Sequence, residues 1–219
     1  MPSARRSRVA VPLTVARIVE QALAIADREG LDALSMRRLG AELGADPMSV
    51  YHHVQDKRAL LSLMADHVVG TIEPSVDGDW MTAIRATVTA ARSAMLQHPW
   101  AARVILDSEQ PGPATLAYLD TVFGTLRRGG LSLELTHHAI HLFGSRLLGF
   151  SQDLFDDSAA ERPAADERGA QAAAWEQAMP YVAELARAAQ HDGALGGCDD
   201  DAEFAFAVDL IVEGLARRV

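Results

Sequence analysis

At 219 residues, 49% hydrophobic and only 5% aromatic, the chain has room for one or two small domains with a real core. Its Ala- and Leu-rich stretches, without long β-branched alternation, favour an all-α fold. A single cysteine, Cys198, excludes an internal disulfide and fits a reducing cytoplasm; no apolar run approaches the roughly 18–20 residues that span a membrane, and MPSARRSR lacks the apolar core of a secretion signal.

The net charge of −10 divides unevenly. Residues 1–70 hold nine Arg and Lys against eight Asp and Glu, whereas residues 71–219 hold eleven against twenty-two. Arg5, Arg6 and Arg8 form a basic tail, either a solvated end or an arm able to reach a minor groove. Leu13 to Glu29 reads as an amphipathic helix with Ile18, Ala22 and Ile25 on one stripe and Gly30 closing it. Ser35 is placed to cap a second helix whose apolar Met36, Leu39 and Leu43 recur at helical spacing, and Gly44 ends it by taking a left-handed conformation at little cost. Asp46 then caps a third helix with Pro47 at its first position, where the missing N–H is not needed. Val50 and Val54 can enter a small core, leaving Pro47, Met48, Ser49, Tyr51, His52 and His53 on or near the outside. This is the pattern of a helix-turn-helix, although helix–glycine–helix patterns also occur in all-α proteins that bind no DNA. Asp56 caps a further helix starting at Lys57, the only lysine in the chain. A cation is unhelpful to the helix dipole there, which suggests another job, the binding of a phosphate.

Gly70 to Asp79, GTIEPSVDGD, is a polar, turn-rich break taken as the domain boundary, giving domains 1–70 and 71–219, with Lys57–Val69 as the connecting helix. Helices are then expected over Trp80–Gln97, Trp100–Leu106, Ala114–Arg128, Ser132–Leu154, around Ala170–Gln190 with Pro180 at a start, and over Asp201–Arg218, the last ending on Arg217 and Arg218 as the dipole prefers. DDSAAERPAADERGA reads as a loop.

Residues Leu13 to Leu61 resemble the N-terminal domain of TetR-family transcriptional regulators, most closely over SVYHHVQDKRALL. The resemblance continues more weakly over most of the chain, through GLSLELTHHAIHLFGSRLLGFSQD and the final helix. It implies an N-terminal three-helix helix-turn-helix DNA-binding domain and a C-terminal helical domain for ligand binding and dimerisation. It also implies a cytoplasmic homodimer, with partners in an operator of double-stranded DNA and a small-molecule effector. The positions matching the family's DNA contacts are Ser35, Met36 and Arg37 on the first motif helix, then Pro47, Met48, Ser49, Tyr51, His52, His53 and Lys57. Carried over, Arg37 is the candidate for guanine readout, because a guanidinium binds O6 and N7 together, and Tyr51, His53 and Lys57 position the backbone. Pro47 and Met48 offer apolar contact to thymine methyl groups.

Positions matching the family's ligand-facing ones are Thr87, Ala91, Ile105, Pro111, Val122, His137 and Ile140, with His141 and Trp175 as further guesses. That lining is mainly apolar with one or two polar anchors and suits a moderately hydrophobic organic ligand; a packed core without a cavity is the other reading. Family members that hold magnesium-chelated tetracycline do so partly through a histidine, and the matching residue here, Ile105, cannot coordinate a metal, although Asp153 and Ser108 match a carboxylate and a hydroxyl of that site. His137 and His141 lie four apart with His138 adjacent, a spacing able to share a metal, yet no HExxH glutamate or nearby cysteine completes a set. No metal, cofactor or catalytic residue is therefore expected. Ligand-released repression is the reading. Two alternatives stay open: an all-α enzyme using the His137/His138/His141 cluster with Asp153 or Asp107, and a constitutive DNA-binding dimer without effector.

Overall fold

A computed structural model describes residues 12–148, 176–181, 183–184 and 200–219. Every regular element among these residues is a helix. Helix α1 covers Val15–Glu29, a 3-10 turn covers Leu31–Ala33, and α2 (Met36–Leu43), α3 (Pro47–Tyr51) and α4 (Lys57–Gly70) follow. Beyond the non-helical residues 71–79 come α5 (Trp80–Gln97), α6 (Ala101–Asp107), α7 (Pro113–Arg128) and α8 (Leu133–Leu148), and then α9 (Asp200–Ala216).

Local chemistry sets most of these boundaries. Thr14, not Leu13, begins the first helix, because its hydroxyl accepts the Arg17 amide at 3.3 Å and satisfies one of the orphan donors at the helix start. Ser35, Asp46, Asp56 and Asp79 cap α2, α3, α4 and α5 in the same way, at 2.7–3.2 Å. Gly30 and Gly44 close α1 and α2 at φ 82° and 65°, a region that an L side chain enters only with strain. Ser132 accepts the Leu135 amide at 3.0 Å at the head of α8. The last helix ends at Ala216, so Arg217 and Arg218 follow it instead of finishing it. The expected helix around Ala170–Gln190 and the tail of the long helix, Gly149–Leu154, fall largely outside the described residues.

Two compact units divide the chain, residues 1–148 with 215–219, and residues 149–214. In the first, the core runs without a break from α1 to α6. Ile18, Ala22 and Ile25 of α1 meet Leu39 of α2, Val50 and Val54 around α3, and Leu60, Met64 and Val68 of α4; Ala91, Ala94, Trp100, Ala101 and Val104 continue the same cluster. Spacings of three and four along α1 and α4 turn one stripe of each helix inward, so the two share a core, and α3 packs on α2 with Val50 in that same core. Polar ties reinforce this. Asp27 on α1 accepts from the Trp100 indole at 2.7 Å and sits 2.8 Å from Nδ1 of His98. In the second unit, α9 buries Phe204, Val208 and Val212 along one face and leaves Phe206 and Leu210 exposed.

Candidate functional site

The α2–turn–α3 unit is built almost entirely by short-range bonds. After Gly44 the chain reverses, the Ala45 amide donating to Gly40 O at 2.9 Å, and Asp46 Oδ1 takes the Met48 amide at 2.8 Å to start α3. A Cβ on Gly40 would lie 3.0 Å from Ala45 O and 3.2 Å from Pro47 N, so glycine permits the close crossing of α2 and α3. Val50 and Val54 are 0% and 2% exposed and anchor α3 from beneath. What remains is an outward face of Met48 (62% exposed), Tyr51 (44% exposed), His52 and His53, with Pro47 and Ser49 half-buried beside it.

Met36 turns its side chain inward. Its side chain is 6% exposed and packs with Leu39 in the core, because the helical period of α2 puts positions 36, 39 and 40 on the inner side; at most its backbone can face DNA. The Ser35 hydroxyl is already committed to the Arg38 amide at 3.2 Å. The neighbouring arginines differ sharply. Arg38 lies bidentate on Glu29, both bonds at 2.6 Å, and touches Glu42 at 3.3 Å, while Glu42 also accepts from Gln21 at 2.7 Å. These bonds, with Arg28 adding to them, hold the Glu29 carboxyl down from its ordinary value of 4.5 to about 2. Arg37, exposed, makes no hydrogen bond or ion pair among the described residues. One arginine clamps α2 to α1; the other is free to meet a ligand. Lys57 sits at the head of α4 and donates one N–H to Leu31 O at 3.2 Å, leaving two ammonium donors directed to solvent.

The candidate effector positions are dispersed. Thr87 is 2% exposed, its hydroxyl donating to Ala83 O at 2.8 Å and accepting from the Ser75 amide at 2.9 Å, so it ties the 71–79 connection to α5. Ala91 and Val122 are buried, Ile140 is half-buried, and His137 and His141 are exposed; Trp175 lies outside the described residues. The rings of His137 and His141 meet edge to face with centroids 4.6 Å apart, and His138 points its Nε2 to Glu134 at 3.9 Å. Among the described residues no three His, Cys, Asp or Glu side chains converge as metal ligands, and Asp107 faces Arg103 at 3.8 Å.

Ile105 and Pro111 do come together, in a cavity of about 100 Å³ whose wall also includes Ser62, Ala65 and Asp66 of α4, and Ser108, Gly112 and Thr115. This is well below the roughly 300–1,000 Å³ of a site for a whole organic ligand and suits a single substituent of one. Sequence reading missed the α4 side of this wall. The available signal was the run Arg58, Ser62, Asp66, Gly70, a polar or small residue every fourth position on a helix whose other face is apolar.

Residues 18–64 match the family model of bacterial regulatory proteins of the tetR family, and residues 74–219 match the tetracyclin repressor-like C-terminal domain. The chain is 35% identical over 153 residues to the HTH-type transcriptional repressor DrrR1 of Streptomyces coeruleorubidus, covering 68% of this chain and 57% of that protein. It is 35% identical over 128 residues to an HTH-type transcriptional regulator of Saccharopolyspora erythraea, covering 58% of this chain and 54% of that one. The chain thus spans little more than half the length of these curated relatives. Among solved structures, the Streptomyces coelicolor TetR family protein ActR in complex with (S)-DNPA superposes with a TM-score of 0.75 at 30% identity, over 95% of this chain and 99% of that one; ActR in complex with actinorhodin gives 0.74 at the same identity. With the two family models matched in order along the chain, the protein belongs to the TetR family of bacterial regulatory proteins.

Proposed function

We propose that the protein is a sequence-specific DNA-binding repressor that acts in the cytoplasm as a homodimer and is released from a near-palindromic operator by a small, moderately hydrophobic organic molecule. The observation that carries this reading is Arg37, without a hydrogen bond or ion pair among the described residues, beside the outward face of Met48, Tyr51, His52 and His53, whereas the neighbouring Arg38 is spent on Glu29 and Glu42. Two such faces, one per copy, enter successive major grooves about 34–36 Å apart. Arg37 reads guanine, Met48 and Pro47 contact thymine methyl groups, and Tyr51, His53 and Lys57 hold phosphates. The near-neutral charge of residues 1–70 allows few phosphate contacts per copy, which makes pairing of copies a requirement for tight binding.

A second copy also covers apolar surface. Leu133 and Leu142 on α8 are 76% and 49% exposed, and Phe206 and Leu210 on α9 are likewise open to solvent. ActR, solved with actinorhodin and with (S)-DNPA, supports a small-molecule effector as the class to test first. Among the described residues no helix is long and apolar enough to cross a membrane.

The test is selection of duplexes from a random-sequence pool by the purified protein, with a Tyr51→Ala/Lys57→Ala variant in parallel. An inverted repeat enriched by the native protein and lost with the variant is the expected result. Salt-sensitive binding without a shared motif, or no binding, would overturn the reading.

A further inference from the structure

Helix α8 buries Thr136, Ala139 and Phe143 along one face and turns Glu134, His137, His138 and His141 outward along the other. Residues three and four apart are neighbours on a helix surface, so these four side chains make one patch. The structure sorts them into two pairs. His138 Nε2 stands 3.9 Å from Glu134 Oε1. His137 and His141 meet each other instead, with ring centroids 4.6 Å apart and planes at 74°. Neither of these two imidazoles makes a hydrogen bond or ion pair among the described residues.

That separation is the one a chelate needs. Two imidazoles bound side by side on one ion, with metal–nitrogen bonds of about 2.0–2.1 Å and an angle of roughly 90–110° between them, hold their ring centroids roughly 4.5–5.2 Å apart. The rings already stand at 4.6 Å, so only rotation about χ2 is required to aim a nitrogen of each at a shared point, and that torsion is broad in histidine. The backbone beneath them is fixed by the buried face of α8, so little order has to be created on binding. The glutamate of an HExxH motif acts as a base and not as a ligand, so its absence from this sequence does not bear on whether the pair can hold an ion.

We propose that His137 and His141 form a binding site for a divalent transition-metal ion on the exposed face of α8. Imidazole nitrogen selects the zinc, nickel and copper class, whereas magnesium and calcium require oxygen ligands. No third His, Cys, Asp or Glu converges on the pair among the described residues, so the ion keeps open positions for exchangeable ligands and is held reversibly, unlike one in a closed four-ligand structural site. Bridging positions 137 and 141 clamps one turn of α8, so the ion stabilises the fold that presents the pair. Leu133 and Leu142 flank the patch on the same exposed face, and a second copy covering them would bring its own pair to the same surface. The site stands independently of the DNA-binding reading.

The experiment titrates full-length protein, free of any affinity tag and stripped with a chelator, with zinc and with nickel in a calorimeter, and with magnesium as the contrasting ion. Saturable binding of zinc and nickel is expected, at one ion per chain or at one per two chains where the pairs of two copies share it, with none of magnesium. Loss of a ligand costs at least as much as loss of an outer partner, so His137→Ala and His141→Ala should each weaken binding at least about tenfold. His138→Ala and Glu134→Ala remove neighbouring groups of the same patch and should stay within about threefold of native. All four positions are exposed, so circular dichroism should show native helix content in every variant. In the copper-loaded protein, electron paramagnetic resonance should show two coordinated nitrogens from the pair and one in either single variant. No saturable binding of zinc or nickel, binding that survives the double variant His137→Ala/His141→Ala, or an equal loss in His138→Ala would overturn the proposal.

Discussion

Arg37 and Arg38 are adjacent in sequence, and the structure assigns them opposite fates, which makes their separate removal a sharp test. Arg37→Ala deletes an exposed guanidinium that makes no hydrogen bond or ion pair among the described residues, so folding stability is expected to stay within about 0.5 kcal/mol of native. Its loss falls on DNA. A bidentate arginine–guanine contact discriminates by about 1–3 kcal/mol, roughly 5- to 150-fold per half-site, and a two-fold symmetric dimer loses it twice. Arg38→Ala does the reverse. It removes the two 2.6 Å bonds to Glu29 and the 3.3 Å contact to Glu42, loosening α2 from the end of α1, while deleting no group that faces DNA. Thermal melts followed by circular dichroism should show a lowered midpoint for Arg38→Ala and none for Arg37→Ala. Fluorescence anisotropy on a selected duplex and on its single-guanine substitutions should show the selectivity lost in Arg37→Ala and kept in Arg38→Ala. If Arg37→Ala retains both affinity and base preference, or if Arg38→Ala is the variant that changes base preference, the assignment of roles drawn from their hydrogen bonding is wrong.

Three further outcomes are expected. Leu60→Ala empties a fully buried position where α4 meets α1 and should lower unfolding free energy by about 2–5 kcal/mol in urea titrations, the spread depending on how far the cavity collapses. Because folding depresses the Glu29 pKa from 4.5 to about 2, its ionised form is the one stabilised; that contribution is complete above about pH 4.5 and disappears as pH falls toward 2. Stability measured across this window should therefore fall more steeply in the native protein than in Glu29→Gln, with the difference shrinking in high salt; parallel slopes would contradict the bidentate geometry. Gly129→Ala places a Cβ 2.3 Å from Cγ of the rigid Trp80 indole, and the resulting shift should cost about 1–3 kcal/mol and change the tryptophan fluorescence spectrum, whereas an unchanged spectrum would mean that the ring does not pack there.

Local chemistry made much of the first seventy residues legible from sequence. The caps at Ser35, Asp46 and Asp56, the left-handed Gly44 and the anchors Val50 and Val54 all act within four or so residues of chain, and the pattern that encodes them is the structure that forms. The helix Trp80–Gln97 was likewise legible to the residue, because Asp79 announces its start and the break before it is rich in turn formers. At Met36 the resemblance carries over a place on the helix and not a direction of the side chain, which the helical period turns inward.

Folding decided what depends on residues far apart. Sequence shows two arginines at 37 and 38 but not that Glu29 and Glu42 converge on the second, nor that Lys57 leans on a carbonyl 26 residues earlier. It shows an aspartate in the middle of an apolar helix but not that the head of α7 needs a carboxylate there because Gly112 cannot supply one. The effector positions were the least legible, since a pocket is the space left between helices and depends on their crossing geometry, to which no single position testifies; of the residues expected to line it, Ile105 and Pro111 meet at the small cavity beside Asp66. Sequence by itself determined most of the helices among the described residues, the caps at Ser35, Asp46 and Asp56, and the family. Tertiary structure alone decided which charges are spent holding the fold together and which remain for a partner, because a buried or paired group is defined by what packs against it.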